Sequence, residues 1–182
     1  MLVQAGKVIS APDFKQPLGP EWSVAKGTWE PKDGVLVVTN IPEQNHIPVL
    51  HLKTGPTSLV WECEFRLNNG KSFLVGCDGG KHIGRIVIAP KSLKVVEDST
   101  ENKATKTPGH TLNEKPVDLK GGDWQKLRVE YTGDQMTARL NDVEVQGQDE
   151  HLAQPKVQWW FAAADTVEVR NVKISEGQPL AK

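Results

Sequence analysis

Between Gln125 and Leu140 the chain alternates: Leu127, Val129 and Tyr131 are separated by Arg128 and Glu130, and after Thr132-Gly133-Asp134 the alternation resumes from Met136. A period of two sets an apolar row and a charged row on opposite faces of a half-buried strand. Gly133 can take the positive φ that tight hairpin turns demand. The stretch therefore predicts a β-hairpin, and the segment from Val167 to Ile174 continues in the same way. No helical repeat competes with this pattern.

The same punctuation recurs along the 182 residues, with 12 prolines and 16 glycines interrupting short apolar runs. Strands are predicted at 7–10, 22–25, 35–40, 47–52, 58–67, 72–78, 83–89, 92–98, 124–132, 135–140, 143–146, 156–163 and 166–175, with one helical turn between Gln148 and Ala153. Such a set predicts a single all-β domain over 1–182, a two-sheet antiparallel β-sandwich. The polar stretch from Asp98 to Lys120 reads as a long loop, which in a compact domain is commonly functional or disordered. Glu176 to Lys182 reads as a frayed tail.

Charge excludes some roles. With 22 basic against 23 acidic residues and no block of either sign, the chain is not expected to grip nucleic acid. No apolar run reaches the roughly 20 residues that span a bilayer, so membrane insertion is not expected either.

Cys63 and Cys77 lie on apolar faces on either side of the turn around Asn68-Asn69-Gly70. If the flanking strands form a hairpin, Leu67 meets Phe73, Phe65 meets Val75, and the cysteines become neighbours. Two readings stand at this point: a disulfide, which would indicate a periplasmic or secreted home, or two buried thiols used as small hydrophobes.

The same alignment sets Asp78 across from Glu62, with Glu64 two residues along on the same face at roughly 7 Å between Cα atoms. A carboxylate cluster can share a proton, supply the acid and base of glycoside cleavage, or accept a divalent cation such as calcium; the competing reading is a solvent-facing strand balanced by Arg66 and other cations. His82 and Arg85 follow Gly79-Gly80, where a flexible loop could bring donors to an oxygen-rich ligand, and His110 lies in the long polar loop. The five histidines show no pair at helical ligand spacing. Gly70-Lys71-Ser72 resembles the end of a phosphate-binding loop, but Phe65 occupies the place of its leading glycine, so nucleotide binding is rejected. No serine has the strand-to-helix setting of a hydrolase nucleophile.

Trp159 and Phe161 alternate with Gln158, Trp160 and Ala162, so Trp159 is expected in the core and Trp160 outside it, where an indole could stack on a sugar ring. Trp22, Trp29, Trp61 and Trp124 are assigned to packing.

Trp22-Ser-Val, Gly27-Thr-Trp29, Asp33-Gly34-Val-Leu, Trp61-Glu-Cys-Glu-Phe-Arg66, Trp124 with its strand, Leu140-Asn141 and Val169-Arg170-Asn171-Val172 occur in an order that resembles the bacterial 3-keto-disaccharide hydrolase domain family. The resemblance implies a concanavalin A-like or laminin G-like jelly roll and glycosyl hydrolase activity. Members of that family commonly carry an Asn-Ser-Gly-Ile segment leading to an Arg, then a Gly-Tyr-Glu-x-Gln strand. Here the corresponding stretches are Asn69-Gly-Lys-Ser-Phe73 and Gly79-Gly-Lys-His-Ile-Gly-Arg85. Fold and activity must therefore be judged separately.

The resulting expectation is a carbohydrate partner held in a sheet-lined cleft. If the chain cleaves a glycoside, Glu62, Glu64 and Asp78 are the candidate catalytic groups, with His82, Arg85, His110 and Trp160 binding the sugar. The alternative is a non-catalytic glycan-binding or adhesion module of laminin G-like type.

Overall fold

The computed structural model describes residues 1–102 and 104–180. Among them, fifteen strands run in chain order as β1 (Gln4–Ser10), β2 (Trp22–Lys26), β3 (Thr28–Lys32), β4 (Val35–Thr39), β5 (Val49–Leu52), β6 (Ser58–Arg66), β7 (Ser72–Asp78) and β8 (His82–Ala89). β9 (Ser92–Glu97), β10 (His110–Pro116), β11 (Gln125–Thr132), β12 (Gln135–Leu140), β13 (Val143–Gln148), β14 (Gln158–Ala164) and β15 (Val167–Gln178) follow. Single 3-10 turns occupy Pro42–Gln44 and Glu150–Ala153. Among the described residues no helix is long and apolar enough to cross a membrane.

The strands form two antiparallel sheets, as the alternation predicts. The first has the order β13-β12-β11-β6-β15-β4-β3, with β1 also paired to β15; the second has the order β10-β9-β8-β7-β14-β5-β2. We call them sheet A and sheet B. The predicted hairpin is present as β11 and β12, with Leu127 opposite Leu140 and Tyr131 opposite Met136.

Between the sheets lies one aromatic-rich core. Phe161 stands at its centre, 4.1 Å from the Trp61 ring at a steep angle, 5.3 Å from Phe73 and 6.1 Å from Trp22. Edge-to-face and offset contacts of this kind suit the charge distribution of aromatic rings. Truncating Phe161 to alanine would cost about 3 to 5 kcal/mol, since a packed interior collapses only partly into the space left.

The hairpin expected between residues 58 and 78 does not form. β6 lies in sheet A between β11 and β15, and β7 lies in sheet B between β14 and β8. Residues 67–71 carry the chain from one sheet to the other, so the apolar rows of β6 and β7 face each other across the core. Phe65 stacks on Phe73 at 4.8 Å instead of pairing with Val75. Cys63 and Cys77 are both free thiols, buried in different sheets, and no disulfide joins them. Burial pushes both thiols up, Cys77 to about 12.

Three other expectations change. β3 is not among the predicted strands; it contains Pro31, which is tolerated since β3 is the edge of its sheet. The stretch from Asp98 to Lys120 contains β10, an exposed polar strand at the edge of sheet B. The tail is ordered through Gln178, which pairs with Gln4; Ala181 and Lys182 lie outside the described residues.

The N-terminus is tied to the outer face of sheet A. The amides of Leu2 and Val3 donate to the Glu130 carboxylate, and Arg128 Nη2 donates to the Val3 carbonyl at 3.3 Å. The Met1 ammonium lies 3.8 Å from Glu144. Beside the second 3-10 turn, Lys156 Nζ donates to the carbonyls of Leu152 and Gln154 and sits 4.1 Å above the Tyr131 ring. Burial pulls this amine down to about 8.

Candidate functional site

On β14 the core takes Trp159, Phe161 and Ala163, which leaves Gln158, Trp160 and Ala162 on the outer face of sheet B. Cross-strand pairing sets His51, Trp160, Gly76, Arg85 and Val96 in one row across β5, β14, β7, β8 and β9. The neighbouring row holds Gln158, Asp78 and His82. These two rows form the floor of the site.

Gly76 makes the arrangement sterically feasible. A Cβ there would stand 2.2 Å from Trp160 Cζ2, so the indole can lie across β7 only because that position has no side chain. In this pose Trp160 Nε1 donates to Asp78 Oδ1 at 2.8 Å. Trp160 is directed away from the core, as expected, yet it is only 4 % exposed. His46 and Ile47 on one side and Glu101 on the other share the cavity it lines.

Asp78 is the polar hub. Its Oδ1 also accepts from His82 Nδ1 at 2.5 Å, and its Oδ2 accepts from Gln158 Nε2 at 3.0 Å. Burial works against the charged carboxylate, but the bonds from His82, Gln158 and Trp160 outweigh it and hold its pKa below the ordinary value. Asp78 also fixes the orientation of the imidazole, whose Nε2 lies 3.8 Å from Glu101 Oε2. His82 is thus bracketed by two carboxylates, and its ring meets Trp160 edge-on at 5.5 Å.

Glu101 comes from the segment between β9 and β10. A two-residue bridge, in which Asn102 and Thr107 exchange backbone bonds of 3.0 and 2.9 Å, holds that segment. Glu101 Oε1 accepts from Arg85 Nη1 at 3.0 Å, and the other arm of the guanidinium, Nη2, lies 3.1 Å from Asp98 Oδ1. The Asp98 side chain is wholly buried and neither oxygen accepts a hydrogen bond. Burial pushes its carboxyl up to about 6, against the pull of Arg85 and with added repulsion from Glu101. His51, part-buried in the first row, is pulled down by burial.

Two cavities meet here, one of about 280 Å³ over Trp160, His51 and Leu74, the other of about 590 Å³ over Asp78, Asp98 and His151. Both are lined by His82 and Glu101. An apolar floor with a few converging polar groups is the usual lining of a small-ligand site.

The sequence-predicted residues divide between the two faces of the sandwich. Asp78, His82, Arg85 and Trp160 come together. Glu62 and Glu64 do not join them: β6 puts both on the outer face of sheet A, with Glu62 on Arg128 and Glu64 on Arg170, each at 2.7 Å. The predicted alignment of Glu62 with Asp78 is therefore wrong, because their strands belong to different sheets. A third cavity, of about 330 Å³, lies over Glu62, Glu64, Arg128 and Arg139, where the charges already neutralise one another. Trp124 lies on this face too, not in the core, with the guanidinium carbons of Arg170 and Arg66 at 4.0 and 4.8 Å from its ring. His110 begins β10, 3.6 Å from Glu97, and lines neither sheet B cavity. Among the described residues no group of three or more His, Cys, Asp or Glu is arranged to hold a metal ion.

His51, Gly76, Asp98 and Glu101 are the additions. A glycine inside the otherwise apolar run Phe73–Cys77 is a signal of close approach that the sequence offered. Glu101 sits in the long polar segment whose length reads as functional or disordered, but its contact with Arg85 depends on tertiary structure.

No protein-family model and no curated protein sequence matches the chain. By structure it is similar to the carbohydrate-binding module CBM66 from Bacillus subtilis, with a TM-score of 0.68 and 11 % identity over 86 % of this chain and 96 % of that one. It is similar to SCLam, a non-specific endo-β-1,3(4)-glucanase of family GH16, with a TM-score of 0.67 and 12 % identity over 98 % and 95 % of the two chains. A protein of Parabacteroides distasonis ATCC 8503, described provisionally as a glycosyl hydrolase, gives a TM-score of 0.58 and 15 % identity over 86 % and 88 %. These likenesses establish the jelly-roll fold.

Proposed function

We propose that the chain binds a carbohydrate in the groove on the outer face of sheet B. The observation that carries this reading is the convergence of Asp78, His82, Arg85 and Glu101 beside the Trp160 floor. Sugar rings present apolar C–H faces and a fringe of hydroxyls that both donate and accept. The groove offers a matching mixture: a mainly aliphatic floor, over a Trp160 ring too covered to stack face-on against a sugar, with carboxylate acceptors and guanidinium and imidazole donors. The jelly-roll likeness to a carbohydrate-binding module and to a glucanase supports the reading.

Hydrolysis of a glycoside, as the resemblance to 3-keto-disaccharide hydrolases implies, is the second reading. It is favoured by the placing of His82 between Asp78 and Glu101, since a base oriented by one carboxylate and facing another can move a proton. A glycan ligand of this kind also fits a periplasmic or secreted setting.

Glycan-array binding followed by titration of the best ligand tests both. His51→Ala and His82→Ala are each expected to weaken binding about tenfold, the loss of one or two hydrogen bonds. Unchanged affinity in both variants would remove the groove from consideration. Release of product from 3-keto-glycosides by the wild type and not by His82→Ala would establish the hydrolytic reading, and retention without product would favour the binding module.

A further inference from the structure

Arg85 is the one guanidinium among the described residues that line the two joined cavities, and both of its arms are engaged. Glu101 takes one at 3.0 Å and Asp98 faces the other at 3.1 Å. The remaining lysine of the lining, Lys81, is exposed at the rim. Against these stand three carboxylates, Asp78, Asp98 and Glu101. Of the histidines, His82 is already engaged by Asp78 and faces Glu101, and burial favours the neutral form of His51, so neither offers an incoming anion the unopposed charge that a released Arg85 would.

An incoming carboxylate or sulfate would have to displace Glu101 from Arg85 while facing Asp78 and Asp98. Glu101 holds the advantage, since the Asn102–Thr107 bridge and a bond from Thr100 Oγ1 to the Pro108 carbonyl, 3.1 Å, keep its segment in place. A competitor tethered at the site acts at a high effective concentration. A hydroxyl meets no such opposition, because it can donate to Glu101 or Asp78 and accept from Arg85 in the same pose.

We propose that Glu101 sets the charge specificity of the groove: by occupying Arg85 it restricts the site to uncharged sugar units and turns away uronate and sulfated glycans. The proposal rests on the reading of the groove as a carbohydrate site. It assigns Glu101 a selective role and makes Arg85 a latent anion site.

The test is an array of neutral, uronate and sulfated oligosaccharides, screened near neutral pH with the wild type, Glu101→Gln, Glu101→Gln/Asp98→Asn and Glu101→Gln/Arg85→Gln. Equal melting behaviour with and without each change establishes that the variants fold. The wild type is expected to retain neutral glycans. Glu101→Gln should shift the uronate-to-neutral affinity ratio about tenfold toward uronates, with a larger shift when Asp98 is also neutralised. Removing Arg85 in the same background should abolish the gain. Wild-type preference for uronate or sulfated glycans would overturn the proposal, and so would neutral binding with a ratio that Glu101→Gln leaves unchanged; in both cases the carbohydrate reading stands. Retention of no glycan by any variant overturns that reading and the proposal together.

Discussion

The Trp160 ring lies across Gly76 so closely that a Cβ at residue 76 would fall 2.2 Å from the indole. Gly76→Ala is accordingly expected to push the ring off β7, weaken its bond to Asp78 and cost about 1 to 3 kcal/mol, the usual range for overpacking a filled site. Urea unfolding measures the loss. An unchanged midpoint together with unchanged ligand affinity would show that the ring has room the structure does not give it.

Asp98 makes stability depend on pH in an uncommon direction for a carboxyl. Its pKa rises from 3.8 to about 6 on folding, so between those values the folded chain holds a proton that the unfolded chain has released. The stabilisation is complete below the unfolded value and is lost as pH rises through the folded one. Two pKa units amount to about 2 to 3 kcal/mol. Asp98→Asn should remove this falling slope from the stability profile. Denaturation of both proteins across that pH window isolates the contribution, and parallel profiles would mean that Asp98 is not the titrating group.

Cys63 and Cys77 should resist thiol reagents in the native protein and react fully once it unfolds, because burial keeps both protonated. Reducing agents should leave the melting temperature unchanged. Rapid native labelling, or a reductant-dependent melt, would contradict their separation into two sheets.

Glu62→Gln removes one acceptor from Arg128, which keeps Glu130 at 2.6 Å. Glu62 is 36 % exposed, so the cost should stay within about 1 kcal/mol. Glycan affinity in the sheet B groove should not change. A loss of binding in this variant would move the site to the opposite face of the sandwich.

How far the fold could be read in advance depended on the element. Leu127, Val129 and Tyr131 marked β11 and its hairpin correctly because the outward positions between them, Arg128 and Glu130, carry charges that pair with each other and with the N-terminal amides, so the alternation stays legible. Phe65 and Phe73 misled for the converse reason: an apolar row says which face is buried and does not say whether its partner lies beside it or across the core. β10 was hidden because an exposed edge strand, His110–Pro116, needs no apolar residues to pair with β9. The site followed the same logic. Asp78, His82, Arg85 and Trp160 were legible as outward polar or aromatic residues on neighbouring strands, whereas His51 and Glu101 reach the groove only through long-range pairing and loop placement.

The anchoring of Leu2 and Val3 on Glu130 has a practical corollary. A tether, dye or carrier joined ahead of Met1 would leave from the side of sheet A, with the thickness of the sandwich between it and Trp160. Protein fixed to a sensor through its first residue would present the sheet B groove to the solution, whereas attachment at Lys81 would block the rim.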